Sequence, residues 1–260
     1  MATRKKTGKN ITATTSEETP AMKRKSKPKR RKARARPQAT QAPARKGPPA
    51  ASRRRKRPAG GAAPAAGVRR AEVLRETSET RISVRVAIDE PGYSVASGVP
   101  FLDHMLEALS RHSGIGLVVE AAGDTHIDDH HTVEDVGLAI GEALRRALGE
   151  KAGIYRFGHF EAPLDEALVA VTVDLSGRPY LVYNVGLKPQ RVGTFDVGLV
   201  EDFFQALMTS AGMNLHINVR YGRNPHHTIE ATFKAFAKAL RMACARDTGS
   251  DGVPSTKGSL

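Results

Sequence analysis

Residues 128–148 read DDHHTVEDVGLAIGEALRRAL, and 96 positions after the first of those histidines the chain reads HHTIEATFKAFAKALRMAC, residues 226–244. From His130 to Leu148, nine of nineteen residues are identical to their partners in the later copy. That is more than two helices share through common composition alone, so the pair marks an internal duplication. Val133, Val136, Ile140 and Leu144 recur at helical spacing and give the first copy an apolar stripe. Working outward, LEALSRHSGIGL (106–117) lies over FQALMTSAGMNL (204–215) at an offset of 98, so a two-residue change in the intervening loop reconciles the two registers. Helices are expected at PFLDHMLEALSRHS, with a proline start, and at GLVEDFFQALMTS. Strand-like alternation runs through RISVRVAI, GIGLVVEA, EALVAVTVD, PYLVYNV and NLHINVRY. The pattern predicts an α+β fold made of two β-β-α-β-α halves, about 72–150 and 151–246. Each is a two-layer unit with a mixed sheet and its helices on one face, and a loop follows at 247–260.

Charge separates this body from what precedes it. Residues 1–67 hold 21 Lys and Arg against Glu17 and Glu18, which leaves 20 basic and 25 acidic residues for 68–260. A tail near +19 therefore precedes a body near −5, and the overall +14 describes the tail. Residues 1–70 lack Phe, Tyr, Trp and Leu, and cannot bury enough apolar surface to offset their ordering entropy; a disordered tail is expected. Its Lys and Arg clusters suit contact with nucleic acid or another polyanion, and with no aromatic to stack on bases such contact would be indifferent to sequence. The alternative is a solubilising spacer. No run has signal-peptide or membrane-span character, so a cytoplasmic protein without membrane contact is expected, with a plastid address as the lesser alternative. The single Cys244 excludes a disulfide framework and falls on the apolar side of its helix, as a packing residue.

The chemistry lies in His-His-Thr-x-Glu. On a helix, His130 and Glu134 share one face a turn apart, whereas His131 points roughly 100° away. One segment can thus give a His/Glu pair to one metal and a lone histidine to another, and His226, His227 and Glu230 repeat the arrangement. The offset of 98 adds His104 and its counterpart Asp202. The set His104, His130, His131, Glu134, Asp202, His226, His227 and Glu230 offers four protein ligands to each of two metals and leaves positions open for substrate. Imidazole mixed with carboxylate suits Mn(II), Fe(II) or Zn(II). His112 and His216 lack histidine counterparts and are candidates to support the ligands from behind or to face substrate, while His126 and His159 read as ordinary histidines. Arg156, Arg178, Lys234 and the PSTKG stretch with Ser255 and Lys257 are candidate phosphate ligands.

FLDHML, HIDDHHTVED, GRPYL and PHHTIEATFKAFAKALR together resemble the imidazoleglycerol-phosphate dehydratase family over residues 72–260. The resemblance implies removal of water from D-erythro-imidazole-glycerol 3-phosphate to give imidazole acetol phosphate in histidine biosynthesis. It implies two Mn(II) per active site, with Fe(II) or Zn(II) less favoured, and a shell of twenty-four subunits built from trimers with sites between subunits. In the family the substrate-binding positions fall on Glu79, His104, His112, His130, His131, Glu134, Arg156, Arg178, His226, Glu230, Lys234, Ser255 and Lys257, and Asp165 lies near the reacting centre. Family members often carry a histidine where this chain has Asp202. With the ring held as an imidazolate between the cations, Glu230 is expected to move the proton, Glu79 and Asp165 to assist, and the C3 hydroxyl to leave. Two other readings are a dimetal hydrolase recruited to nucleic acid by the tail and a histone-like binder without turnover. Both ligand sets are complete in both repeats, which favours the dehydratase.

Overall fold

The computed structural model describes residues 69–260, and the tail expected over 1–70 lies almost wholly outside them. The first half consists of β1 (Arg70–Glu76), β2 (Thr80–Ala87), β3 (Tyr93–Ala96), α1 (Pro100–Ser113), β4 (Gly116–Gly123) and α2 (His130–Leu148). The second consists of β5 (Phe157–Leu164), β6 (Ala167–Asp174), β7 (Tyr180–Asn184), a small hairpin of β8 (Arg191–Val192) and β9 (Phe195–Asp196), α3 (Leu199–Ala211), β10 (Asn214–Tyr221) and α4 (Pro225–Cys244). The duplication appears directly in the sheets, ordered β1-β2-β4-β3 and β5-β6-β10-β7. In each sheet the last pair is parallel and the others antiparallel.

Each half's four-stranded sheet has one strand more than the expected β-β-α-β-α, and the second half adds the β8–β9 hairpin. Within these two sheets the strands without a named segment in the sequence, β1, β3 and β5, all lie at edges, where one neighbour and a shallow core leave little apolar alternation to read. By contrast, β2 in the sheet interior buries Ile82, Val84 and Val86 and turns Arg81 and Arg85 outward.

The two-layer description holds within each half. Across the body, α2 packs on α3 and α1 on α4, so the order is sheet, helices, helices, sheet around one continuous core. Phe203, Phe204, Phe233 and Phe236 form its centre, with ring centroids 4.9–5.4 Å apart. Burying each such ring contributes about 1.5–3 kcal/mol. Two glycines bring α2 unusually close to α3. A Cβ on Gly137 would lie 2.7 Å from the Phe203 carbonyl oxygen, and one on Gly141 would lie 2.3 Å from that of Leu207. At the same positions of the repeat α4 carries Phe233 and Ala237. Cys244 is buried in this core, and burial pushes its thiol up to about 12.

Candidate metal and phosphate sites

Both His-His segments open a helix, as expected, and each opening is held by a short polar side chain. Asp128 accepts from the His130 amide at 2.9 Å, and Asn224 caps α4 by accepting from the His226 amide at 2.9 Å. The retained threonines, Thr132 and Thr228, are buried beneath the helix starts and serve packing.

Across the helix–helix layer, each opening meets a residue of the other half. His104 on α1 joins His226 and Glu230 on α4: Glu230 Oε2 lies 3.6 Å from His104 Nε2 and 3.1 Å from His226 Nε2. Among the described residues this trio is the one group whose donor atoms all lie within 4.8 Å of one another. Asp202 on α3 joins His130 and Glu134 on α2, with His130 Nδ1 3.5 Å from Asp202 and Nε2 3.8 Å from Glu134. The correspondence of His104 with Asp202 therefore places both at matching points. Phe101 braces the first cluster: its ring meets His226 edge-on at 5.3 Å and is backed by the buried Phe195 of β9 at 5.1 Å.

The second histidine of each pair points elsewhere, as helical geometry requires. The rings of His130 and His131 stand at 77°, and those of His226 and His227 at 81°. His131 Nδ1 faces Asp124 at 3.1 Å and Glu79 at 3.7 Å. His227 Nδ1 faces Glu166 at 2.8 Å, and its Nε2 lies 3.9 Å from Asp165. An ionised carboxylate only accepts, so Nδ1–H donates and Nε2 is left with the lone pair, the tautomer that a metal ligand needs. Donating Nδ1–H to the Asp124 and Glu166 carboxylates raises the pKa of His131 and His227 respectively, and the His227 contact pulls Glu166 down to about 2, helped by the Asn224 amide.

Burial opposes ionisation of Glu230, but Lys234 at 2.7 Å and His226 outweigh it and hold the carboxyl below its ordinary range. His112 is held below its ordinary value by burial and by Lys234 and Lys238 nearby. His216 points outward from β10 beside Tyr180, on the side of the sheet away from the helices and both clusters. The alternation of β10 decides this, since its odd-numbered neighbours Leu215 and Ile217 fill the core.

The expected phosphate ligands divide into two places. Arg156, Arg178, Pro254, Ser255, Thr256 and Lys257 line an open cavity of about 510 Å³ at the C-terminal segment. There Asp174 holds the Arg156 guanidinium through two hydrogen bonds, of 2.6 and 3.1 Å, and the Pro254 carbonyl accepts a third at 2.9 Å. Lys234 is not among them; it is paired with Glu230. The Arg156 amide bonds to the Ala243 carbonyl at the far end of α4. Ala243 lies thirteen positions after Glu230, and at about 1.5 Å per residue the point where the Arg156 backbone meets α4 is roughly 20 Å along the helix from Glu230. Asp124, Glu166 and Asp174 carry no motif in the sequence. They are single carboxylates in turns or at a strand end, and only Glu166 had a cue, as the neighbour of Asp165.

The sequence model of the imidazoleglycerol-phosphate dehydratase family matches residues 97–240. This chain belongs to that family. It is 54% identical over 197 residues to the imidazoleglycerol-phosphate dehydratase of Prochlorococcus marinus subsp. pastoris, an alignment covering 75% of this chain and 98% of the relative. Against the chloroplastic imidazoleglycerol-phosphate dehydratase 1 of Arabidopsis thaliana it is 57% identical over 194 residues, covering 74% and 72%. The crystal structure of the Staphylococcus aureus dehydratase matches with TM-score 0.63 at 41% identity, covering 68% of this chain and 99% of that one. The Pyrococcus furiosus enzyme, solved in complex with (S)-C348, matches at 0.64 and 38%, covering 72% and 100%. The two solved relatives thus share the fold, and the family match spans both His-His segments.

Proposed function

We propose that the chain dehydrates D-erythro-imidazole-glycerol 3-phosphate to imidazole acetol phosphate, a step of L-histidine biosynthesis, using two divalent cations, Mn(II) before Fe(II) or Zn(II). The observation that carries this is the pair of matching clusters, His104/His226/Glu230 and Asp202/His130/Glu134, each joining a helix start to a residue of the other half. Their donors fit first-row divalent ions: mixed imidazole and carboxylate, partly open to solvent, no thiolate. Bound there, the cations would supply Lewis-acid stabilisation of negative charge on the imidazole ring.

Each cluster offers three ligands, and the oriented Nε2 of His131 or His227 is the natural fourth. Those rings turn away from the clusters of their own chain, and the phosphate cavity lies too far along α4 for a three-carbon substrate to span. Both facts support sites shared between copies, in keeping with the expected shell of twenty-four subunits. In such a site Arg156, Arg178, Ser255 and Lys257 hold the phosphate, while Lys234 and His112 act beside the ring-binding cluster. Positioning the phosphate leaves the reacting carbons at a fixed distance from the proton-moving group.

The family resemblance implies that Glu230 moves the proton. Both its oxygens are engaged, one by His104 and His226 and the other by Lys234, which weighs toward a ligand role. Glu79 accompanies His131 at 3.7 Å, half exposed, and is the better proton carrier, with Asp165 as its counterpart beside His227. The remaining assignments are a 71–260 dehydratase body bearing a basic tail, and a cytoplasmic location with a plastid as alternative. No helix among the described residues is long and apolar enough to cross a membrane. Formation of imidazole acetol phosphate by the purified full chain, lost on chelation and restored by Mn(II), tests the proposal; no product under either condition contradicts it.

A further inference from the structure

The two clusters occupy matching places in the repeat, yet their donors do not match. The first offers two imidazoles and one carboxylate, from His104, His226 and Glu230; the second offers one imidazole and two carboxylates, from His130, Glu134 and Asp202. A second difference lies one helical turn deeper. Lys234 places its ammonium 2.7 Å from Glu230, whereas the same position in α2, at an offset of 96, is Leu138. Formal charge is therefore near zero around the first cluster, counting Lys234, and −2 around the second. Exposure differs in the same sense: Glu230 is 15% exposed, and Glu134 and Asp202 are 48% and 43% exposed.

We infer that the two clusters are inequivalent cation sites, the second, richer in carboxylate, retaining Mn(II) more firmly and the first, richer in imidazole, exchanging it more readily for a nitrogen-seeking ion such as Zn(II). This rests on the reading above that both clusters bind divalent cations. Imidazole favours the later first-row ions, whereas carboxylate and water suit Mn(II) and Mg(II). The Lys234 ammonium competes for the Glu230 lone pairs and disfavours a weakly bound hard ion at the first cluster. The fourth ligand is a histidine in either case, so it does not erase the difference. Of two Mn(II) ions bound, the exchangeable one is then held between α1 and α4 and the retained one between α2 and α3.

The test uses the full chain, stripped with a chelator, reloaded with Mn(II), dialysed and titrated with Zn(II). Released Mn(II) is read by its paramagnetic resonance signal and bound metal by mass spectrometry. Mn(II) should leave in two equal steps separated by roughly tenfold or more in Zn(II), the usual scale of a neighbouring-group effect on metal affinity. His104→Ala should remove the step at lower Zn(II), and Asp202→His should bring the two steps together. Release in a single step from the unsubstituted protein, or loss of the later step in His104→Ala, overturns the inequivalence. Failure of the reloaded protein to hold any Mn(II) overturns instead the reading of the clusters as cation sites.

Discussion

Replacing Gly141 with alanine adds one methyl group at the tighter of the two close approaches between α2 and α3. Helix propensity alone predicts a gain of about 1 kcal/mol, because glycine is the worse residue within a helix. Packing predicts the opposite. The added Cβ would lie 2.3 Å from the Leu207 carbonyl oxygen and 2.8 Å from Ser210 Cβ. The first of these is backbone, so relief requires α3 to retreat by about 1 Å, at the ~1–3 kcal/mol typical of an overfilled core. The expected outcome is a net loss of about 1 kcal/mol in urea denaturation at fixed protein concentration. A second readout follows from where α3 leads. It carries Asp202 against His130, so Gly141→Ala should weaken the cluster between α2 and α3 and spare the one between α1 and α4. A variant more stable than the parent, with unchanged metal content, would falsify the close helix contact as the device that joins the halves.

Glu79→Gln should lower kcat by about 10²–10⁴-fold, the usual scale for a positioned acid–base group, with metal content unchanged; near-normal turnover would return the proton transfer to Glu230. Asp174→Asn removes the charged partner of Arg156, worth about 1.5–3 kcal/mol as hydrogen bonds to a charged group. KM should rise by roughly tenfold or more with kcat little changed, and equal loss in both would place Arg156 outside the phosphate cavity. Asp89 is held below its ordinary 3.8 chiefly by its hydrogen bond from Arg69. A depressed folded-state value contributes stability that is fully present above pH 3.8 and is lost as pH falls below it. Asp89→Asn should therefore lower stability at neutral pH and flatten the acid limb of a denaturation profile, and an unchanged limb would show the pair contributes nothing.

What the sequence revealed, it revealed through periodicity. The helices and the interior strands β2, β4, β6 and β10 announce themselves because each fills a deep core on a regular face, as Ile82, Val84 and Val86 do. Edge strands such as β5, reading FGHFEAPL, bury only Gly158 and Ala162 and leave no such trace. The same distinction governs the site. His-His-x-x-Glu was legible because helical spacing and repetition coincide, and the repeat then located His104 and Asp202. Asp124 and Glu166 orient histidines from turns, where no period operates, and their partners lie 7 and 61 residues away. The separation of about 20 Å along α4 between Glu230 and Ala243, where Arg156 bonds, was likewise invisible, since a contact between residues distant in sequence leaves no periodic trace.

Metal content per chain is the most direct check on the central claim that the duplicated helix starts hold two cations. Full-length protein equilibrated with Mn(II) should retain two ions per chain, and His226→Ala and His130→Ala should each retain about one. Two ions in both variants, or none in the parent protein, would contradict the claim.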